Sequence, residues 1–502
     1  MIKEAKIYQA FYTKSTPIVD YMVKSLSLKQ GDKIFEPCGG DGVFIDAIVE
    51  NNQEVNIDIY ELNVDAYNTL TSKFSHYKNI QVRLCDTLLD NDLVFNSNFG
   101  GIYDKIIANP PYGAWQDYDK RDKLKKVFPS LYIKETYALF LYRCIELLKD
   151  NGILSFIIPD TFLNLHTHKE LRRYILSRAK ILELTLFPSS FFPGVNFGYA
   201  NLSIITLQKC DDINLCFKHI VKVINGFTSV EQLSDLSDSD LKVSSFSQEE
   251  IYNNPDHAFL ISENTKIIQL INNPTQRIGE IANCVTGFYS GDDKTFLKVN
   301  SPALKNGKNY NIVDEESVNR EYTSLNEILD GIDGERYFIP IVKGGNVKYL
   351  KPEGWFMNWG KQAVKHYKTD KKARFQNSQF YFKFGIGIPM ISSSSITASL
   401  IENKLFDQSI VGIFPKDQSL TYYLLAFFNS TTCNTLIRTI NPSANNPANY
   451  IKKIPFISPD PIALDRISNA VSQILYSLKS CNTYDEHFDS EINSHFREIY
   501  GF

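Results

Sequence analysis

The sequence predicts an α/β protein: a mostly parallel sheet in the N-terminal half, followed by a separate α+β region. Three observations predict it. Apolar strand-like runs alternate with helix-like runs from Lys33 to Pro159, the pattern of a parallel sheet built from strand–helix units. Four of the strands end in a polar residue, Glu36, Glu61, Asp86 and Asn109, at intervals of 25, 25 and 23 residues. Past residue 250 the pattern changes to short strands and turns.

The first strand, Lys33-Ile-Phe-Glu36, runs into a glycine-rich turn, Pro37-Cys-Gly-Gly-Asp-Gly42, and then a helix-like run from Val43 to Glu50. Glycines at 39, 40 and 42 allow a tight turn and close approach of a ligand, and the helix that follows presents free backbone N–H groups. Asn56-Ile-Asp-Ile-Tyr-Glu61 and Ile80-Gln-Val-Arg-Leu-Cys-Asp86 are the second and third strands. Tyr103-Asp-Lys-Ile-Ile-Ala108 is the fourth, and it leads directly into Asn109-Pro-Pro-Tyr112. Thr136 to Leu148 has apolar residues at helical spacing, Lys149-Asp-Asn-Gly152 stops that helix, and Ile153 to Pro159 is a buried strand. Phe191-Phe-Pro-Gly-Val-Asn-Phe197 precedes a further strand, Ala200 to Leu207. Residues 226–250, rich in Ser, Asp and Glu, are expected to form a linker. Beyond it, Val285–Gly291, Phe338–Gly345 and Gly385–Ile391 are short strand-and-turn segments, and the tail from Pro461 is helical in pattern.

Asn109-Pro-Pro-Tyr112 combines an amide, two prolines and an aromatic ring. The amide accepts hydrogen bonds from an NH2 group. The prolines have fixed φ and no N–H, so their carbonyls can face a pocket. The ring can stack on a flat substrate. This equipment suits methyl transfer to an exocyclic amine. Taken singly, a Pro-Pro turn merely ends a strand and an acid at a strand end is solvated. Ligands bind at the carboxyl ends of strands in open α/β sheets, so the four polar residues converge on one rim, and their joint order is what carries the argument.

On these residues the chain resembles the TaqI-like, gamma-class, S-adenosylmethionine-dependent DNA adenine-N6 methyltransferases of restriction-modification systems, strongly over residues 11–208. Phe11-Tyr-Thr-Lys-Ser-Thr-Pro17 is similar to the family's N-terminal cofactor motif, with Lys14-Ser15 inserted, and Glu36-Pro37-x-x-Gly40-x-Gly42 to its cofactor loop. The resemblance implies a Rossmann-like catalytic domain over residues 1–225 with a mostly parallel seven-stranded sheet. It also implies a target-recognition domain over 251–460 and a helical segment over 461–502. It implies S-adenosyl-L-methionine as cofactor, held by Tyr12, Thr13, Glu36, Pro37, Cys38, Gly40, Gly42, Glu61, Leu62, Asp86 and Asn109. Thr16 is the alternative to Thr13. Glu61 would take the ribose hydroxyls and Asp86 the adenine amino group. Asn109, Pro110, Pro111 and Tyr112 would carry catalysis. Phe192 would stack on the target base, with Phe191 and Phe197 as alternatives.

Composition limits the other readings. The chain has 502 residues, 43% of them apolar, enough for two or three domains. The eight cysteines form no CxxC pair and the eight histidines no HExxH, so no metal site is expected and a reducing, cytoplasmic setting is. No apolar segment approaches membrane-spanning length. The net charge of −4 is not that of a general nucleic-acid binder. However, Lys343 to Arg374 carries nine Lys/Arg against two Asp/Glu, interleaved with Tyr349, Trp355, Phe356, Trp359 and Tyr367. That mixture is expected to track phosphates, as is a loop at Lys120–Lys126. The expected partners are therefore double-stranded DNA and, with a monomeric enzyme, a separately encoded restriction endonuclease. Methylation of RNA adenine or protein glutamine, or an inactive DNA-specificity protein, are the alternatives. The roughly 250 residues after the linker and the intact loop motifs favour the first reading.

Overall fold

The computed structural model describes residues 15–51, 54–93, 100–113, 118–191, 201–237, 240–262, 264–321, 325–392, 395–441 and 444–502. The chain divides into two compact units, Met1–Glu263 and Asn264–Phe502.

In the first unit, β1 (Lys33–Glu36), β2 (Asn56–Glu61), β3 (Ile80–Leu84), β4 (Tyr103–Ala108) and β5 (Leu148–Pro159) are arranged in the order β3-β2-β1-β4-β5. Every neighbouring pair among them is parallel. The order reverses between β1 and β4, which makes the gap beyond their carboxyl ends the switch point where such sheets bind ligands. β6 (Ala179–Phe187) and β7 (Leu202–Lys209) follow, with β7 antiparallel between β5 and β6.

The described helices of this unit include α1 (Thr16–Ser25), α2 (Val43–Asn51), α3 (Val64–Phe74), α4 (Tyr118–Val127), α5 (Thr136–Leu147) and α6 (Lys169–Arg178). Two of the starts have a clear local cause. Pro17 sits in the first turn of α1, where its missing N–H costs nothing. Asn63 caps α3 by accepting from the Asp65 and Ala66 amides. α2 buries Phe44, Ile45, Ala47, Ile48 and Val49, and each large apolar side chain so buried contributes about 1.5–3 kcal/mol.

The sheet is wider than the seven strands expected. β8 (Ile220–Asn225) pairs with β6 in parallel, and β9 (Lys242–Ser247) pairs with β8 in antiparallel, giving nine strands. Residues 226–250 are therefore not a linker. β9 reads Lys-Val-Ser-Ser-Phe-Ser and is largely solvent-facing, so it has little apolar pattern and is held by its backbone ladder. Just beyond it, Gln248 is fully buried. Its amide donates to the carbonyls of Leu176 (2.8 Å) and Ala179 (2.7 Å) and accepts from the Ile181 N–H (3.0 Å). Ile251 and Phe259 complete the same core, so the unit ends at Glu263 rather than at residue 225.

In the second unit, Ala282–Thr286, Ile410–Pro415, Phe384–Pro389 and Ser399–Glu402 form one antiparallel sheet in that order. Leu297–Val299, Trp355–Asn358, Phe338–Val342 and Leu405–Phe406 form another. The tail expected to be helical is two helices, Pro461–Cys481 and His487–Tyr500. Most of the aromatics in the stretch expected to track phosphates fold inward, while Lys361, Lys365, Lys368, Lys371, Lys372 and Arg374 stay exposed. Tyr349, Phe356, Trp359 and Tyr367 are buried, with Phe288 edge-on to both Trp359 and Tyr367. Lys343 pairs with Asp293 and Asp407, Lys348 with Asp489, Lys361 with Asp333 and Lys368 with Asp330.

Gln248→Leu should lower the stability of the chain by about 2–4 kcal/mol in urea unfolding, because a buried donor and two acceptors lose their partners. An unchanged midpoint would mean that the segment is a linker after all.

Candidate active site

Four rim positions meet beyond the carboxyl ends of β1 to β4. β1 delivers Glu36, which is only 2% exposed. Burial, with Asp41, Glu61 and Asp46 nearby, pushes its carboxyl well above the ordinary range. Among the described residues its Oε2 has no hydrogen-bond partner. A buried polar atom left in that state is costly.

The glycine loop that follows is packed against its neighbours. Gly42 has φ +76°, and a Cβ there would lie 2.8 Å from the Phe74 ring and 2.9 Å from Leu70. Gly40, at φ +57°, donates its N–H to Glu61 Oε2 at 2.8 Å. Glu61 Oε1 accepts from the Leu62 and Asn63 amides at 2.8 and 2.7 Å. A carboxylate offers about four acceptor sites, so three backbone donors fix its direction and leave room for a ligand hydroxyl. Leu62 itself is largely exposed beside it. Thr87 donates to the Pro37 carbonyl at 2.6 Å and ties the end of β3 to the same loop.

Asp86 is engaged differently from expectation. Its Oδ1 accepts from the Leu88 amide (3.1 Å) and its Oδ2 from Lys120 Nζ (2.7 Å). Lys120 belongs to α4, so the basic cluster expected as a phosphate-touching loop is a helix, and its first lysine is bound to the acid expected to read adenine. Nothing local in the sequence signals a pair 34 residues apart.

Asn109 stands at the end of β4, across the switch point from the glycine loop. Cys38 Sγ donates to the Asn109 carbonyl at 3.5 Å, and burial raises the Cys38 thiol well above its ordinary value, so it is a thiol donor and not a thiolate. The Pro111 carbonyl accepts from Thr136 Oγ1 at 2.5 Å. Tyr112 is only 6% exposed, its hydroxyl donates to the Ile157 carbonyl of β5 at 3.4 Å, and Tyr137 meets its ring edge-on at 6.4 Å. A ring expected to stack freely on substrate is thus mostly enclosed. Beyond β5, Asp160 is pushed up to about 6 by burial. It exchanges bonds with Asn201, its N–H donating at 3.0 Å and its Oδ1 accepting at 3.2 Å. Tyr12, Thr13 and Phe192 lie outside the described residues. Thr16 is exposed on α1, and Phe191 stacks on Phe187 at 5.9 Å. Among the described residues no group of three or more His, Cys, Asp or Glu could hold a metal, and no helix is long and apolar enough to cross a membrane.

A glycine loop, the acids Glu36, Glu61 and Asp86, and Asn109-Pro-Pro-Tyr112 lie around the switch point of the parallel strands. Residues 5–192 match the Eco57I restriction-modification methylase family. The chain is similar to the type II methyltransferase M.AccI of Acinetobacter calcoaceticus, 28% identical over 48% of this chain and 42% of that one. It is also similar to M.HindII of Haemophilus influenzae, 24% identical over 59% and 56%. A shorter stretch is similar to the modification methylase CviBIII of a Paramecium bursaria Chlorella virus, 34% identical over 29% and 36%. The chain spans about half the length of the curated relatives it matches first. A solved DrdV–DNA complex shares the fold, with a TM-score of 0.57, 12% identity and coverage of 95% of this chain and 58% of that one.

Glu36 gives a test of the site's electrostatics. Its folded-state pKa is raised, so its contribution to stability is present below the ordinary carboxyl value and is lost as pH rises through the folded value. Glu36→Gln should therefore be more stable than the parent at pH 8, with the gap closing toward pH 5. Urea midpoints measured across that range check this, and a gap independent of pH would contradict it.

Proposed function

We propose that the chain is a sequence-specific DNA methyltransferase. It moves the methyl group of S-adenosyl-L-methionine to the exocyclic N6 of an adenine flipped out of double-stranded DNA, as the modification enzyme of a restriction-modification system. The observation that carries this reading is the convergence of Glu36, Glu61, Asp86 and Asn109 on one rim of the sheet. The methylase family match supports the chemistry, and the relatives' description as type II methyltransferases supports DNA as substrate. Its setting is the cytoplasm, its state a monomer, and its counterpart a separately encoded restriction endonuclease.

The residues present fit the cofactor. Glu36 Oε2 needs a donor, Glu61 is aimed by backbone amides with an acceptor site to spare, and the glycine loop lets a ligand approach the backbone. Bound S-adenosyl-L-methionine supplies an electrophilic methyl group. Everything else falls to the chain. An adenine amine is a poor nucleophile because its lone pair is delocalised into the ring. The Asn109 side-chain oxygen and the Pro110 carbonyl accept its two N–H bonds, which favours a pyramidal nitrogen with the lone pair turned toward the methyl group. Holding donor and acceptor in line supplies most of the acceleration. Flipping the base costs a few kcal/mol. With Tyr112 mostly enclosed, Phe192, or Phe191 or Phe197, carries the larger share of the stacking, at about 1–3 kcal/mol per ring.

Long-read methylation sequencing of DNA from cells expressing the chain should reveal one new methylated adenine motif. The Asn109→Ala variant should erase it while binding the cofactor, by calorimetry, within about threefold of the parent, since its loss removes an interaction made with the reacting amine. No new motif with the parent chain, or full methylation with Asn109→Ala, would defeat the assignment.

A further inference from the structure

The two prolines of Asn109-Pro-Pro-Tyr112 carry no N–H, so this loop cannot be held by donating ladder bonds at positions 110 and 111. It is held through its carbonyls and its tyrosine. Cys38 donates to the Asn109 carbonyl, a weak sulfur contact at long range. Thr136 donates to the Pro111 carbonyl at 2.5 Å, the shortest of these anchors. Tyr112 is held at its ring edge by Tyr137.

Thr136 and Tyr137 open α5, and Glu135 is the residue at its cap position. A residue there ordinarily spends its side chain on the helix's open N–H groups. Glu135 makes no such capping bond. Its carboxylate meets His168 Nε2 at 2.5 Å and Tyr137 Oη at 3.1 Å instead. Tyr137 Oη also lies 3.0 Å from His168 Nε2 and 3.0 Å from Thr161 Oγ1, just past the end of β5. Thr136, Tyr137 and His168 are all buried. The start of the helix thus turns its polar groups away from its own backbone, one toward the proline loop and the rest toward a network behind it.

We propose that Thr136 and Tyr137 are positioning residues for methyl transfer. Thr136 fixes the Pro111 carbonyl, and with it the direction of the Pro110 carbonyl one peptide earlier. Tyr137, braced by Glu135, Thr161 and His168, fixes the ring of Tyr112. The inference rests on the reading that this loop receives the substrate amine. It adds that the loop's geometry is set from α5 and not by the loop itself. Displacement of a reacting group by about 1 Å can cost about 100-fold in rate, so the effect of loosening the anchor falls on transfer and not on cofactor binding.

The test uses the full chain and unmethylated plasmid DNA carrying the motif found by sequencing. Thr136→Val keeps the shape and removes the hydroxyl. It should lower the single-turnover transfer rate by about 10- to 100-fold with cofactor affinity, by calorimetry, within about twofold of the parent. Thr136→Ser restores the hydroxyl and should recover the rate to within about threefold. Tyr137→Phe keeps the ring against Tyr112 and should lose less than Tyr137→Leu. Amide exchange at Tyr112 and Gly113 should quicken in Thr136→Val while the amides of β5 and β6 stay as protected as in the parent. A parent-like rate in Thr136→Val, no rescue by serine, or parallel loss of cofactor binding would overturn the proposal. If the parent chain transfers no methyl group to DNA, the functional reading fails instead. The exchange measurement then decides the positioning role alone, with unchanged Tyr112 and Gly113 protection counting against it.

Discussion

Two consecutive prolines at the end of β4 withhold two backbone donors from the place where the chain most needs a fixed geometry. The neighbouring elements of the first unit are arranged around that deficit. The start of α5 supplies the shortest anchor, Thr136 donating to the Pro111 carbonyl, and the adjacent strands add longer contacts: the segment after β1 brings the Cys38 thiol to the Asn109 carbonyl, and β5 offers the Ile157 carbonyl to the Tyr112 hydroxyl. Parallel pairing of β4 with both neighbours is what brings those groups to the same end of the sheet. Of the loop's carbonyls, those of Asn109 and Pro111 are already engaged as acceptors, by Cys38 and by Thr136.

Much of this unit could be read from the chain because its key positions are determined locally. A strand is an apolar run, its end is the next polar residue, and a turn at positive φ calls for glycine. Glu36, Glu61, Asp86 and Asn109 each follow from that reasoning, and each stands at or just past the carboxyl end of one of four adjacent parallel strands. Contacts set by tertiary packing were not legible in this way. Lys120 looked like one of several loop lysines because its partner Asp86 is far away in sequence. The enclosure of Tyr112 depends on Tyr137 and Ile157, and neither can be paired with it by pattern. The outer strand β9 carries little sequence signal because an edge strand can be polar on most positions and still be held by its ladder.

In the second unit the sequence did carry a usable signal that favoured a different conclusion. From Lys361 to Thr369 the chain is an α-helix that buries Ala363, Val364 and Tyr367, at the spacing of one helical face. Its lysines lie on the other side, and Lys361 and Lys368 find aspartates of the same unit. Interleaved basic and aromatic residues describe a phosphate-binding surface and an amphipathic helix equally well, and the three-to-four-residue period separates the two. Exposed ion pairs of this kind contribute at most about 1 kcal/mol each, so the aromatic core, and not the charges, dominates the stability of this region.

The Lys120–Asp86 pair joins a helix that follows the proline loop to the end of β3. A neutral hydrogen-bond donor arriving at Asp86 and an anion arriving at Lys120 would pull on the same contact from opposite ends. Whichever bound first would remove part of the cost that the second must meet, so the two affinities would be linked with the same sign and to the same extent. The contact is partly solvent-exposed, so added salt weakens it, and that linkage fades as ionic strength rises.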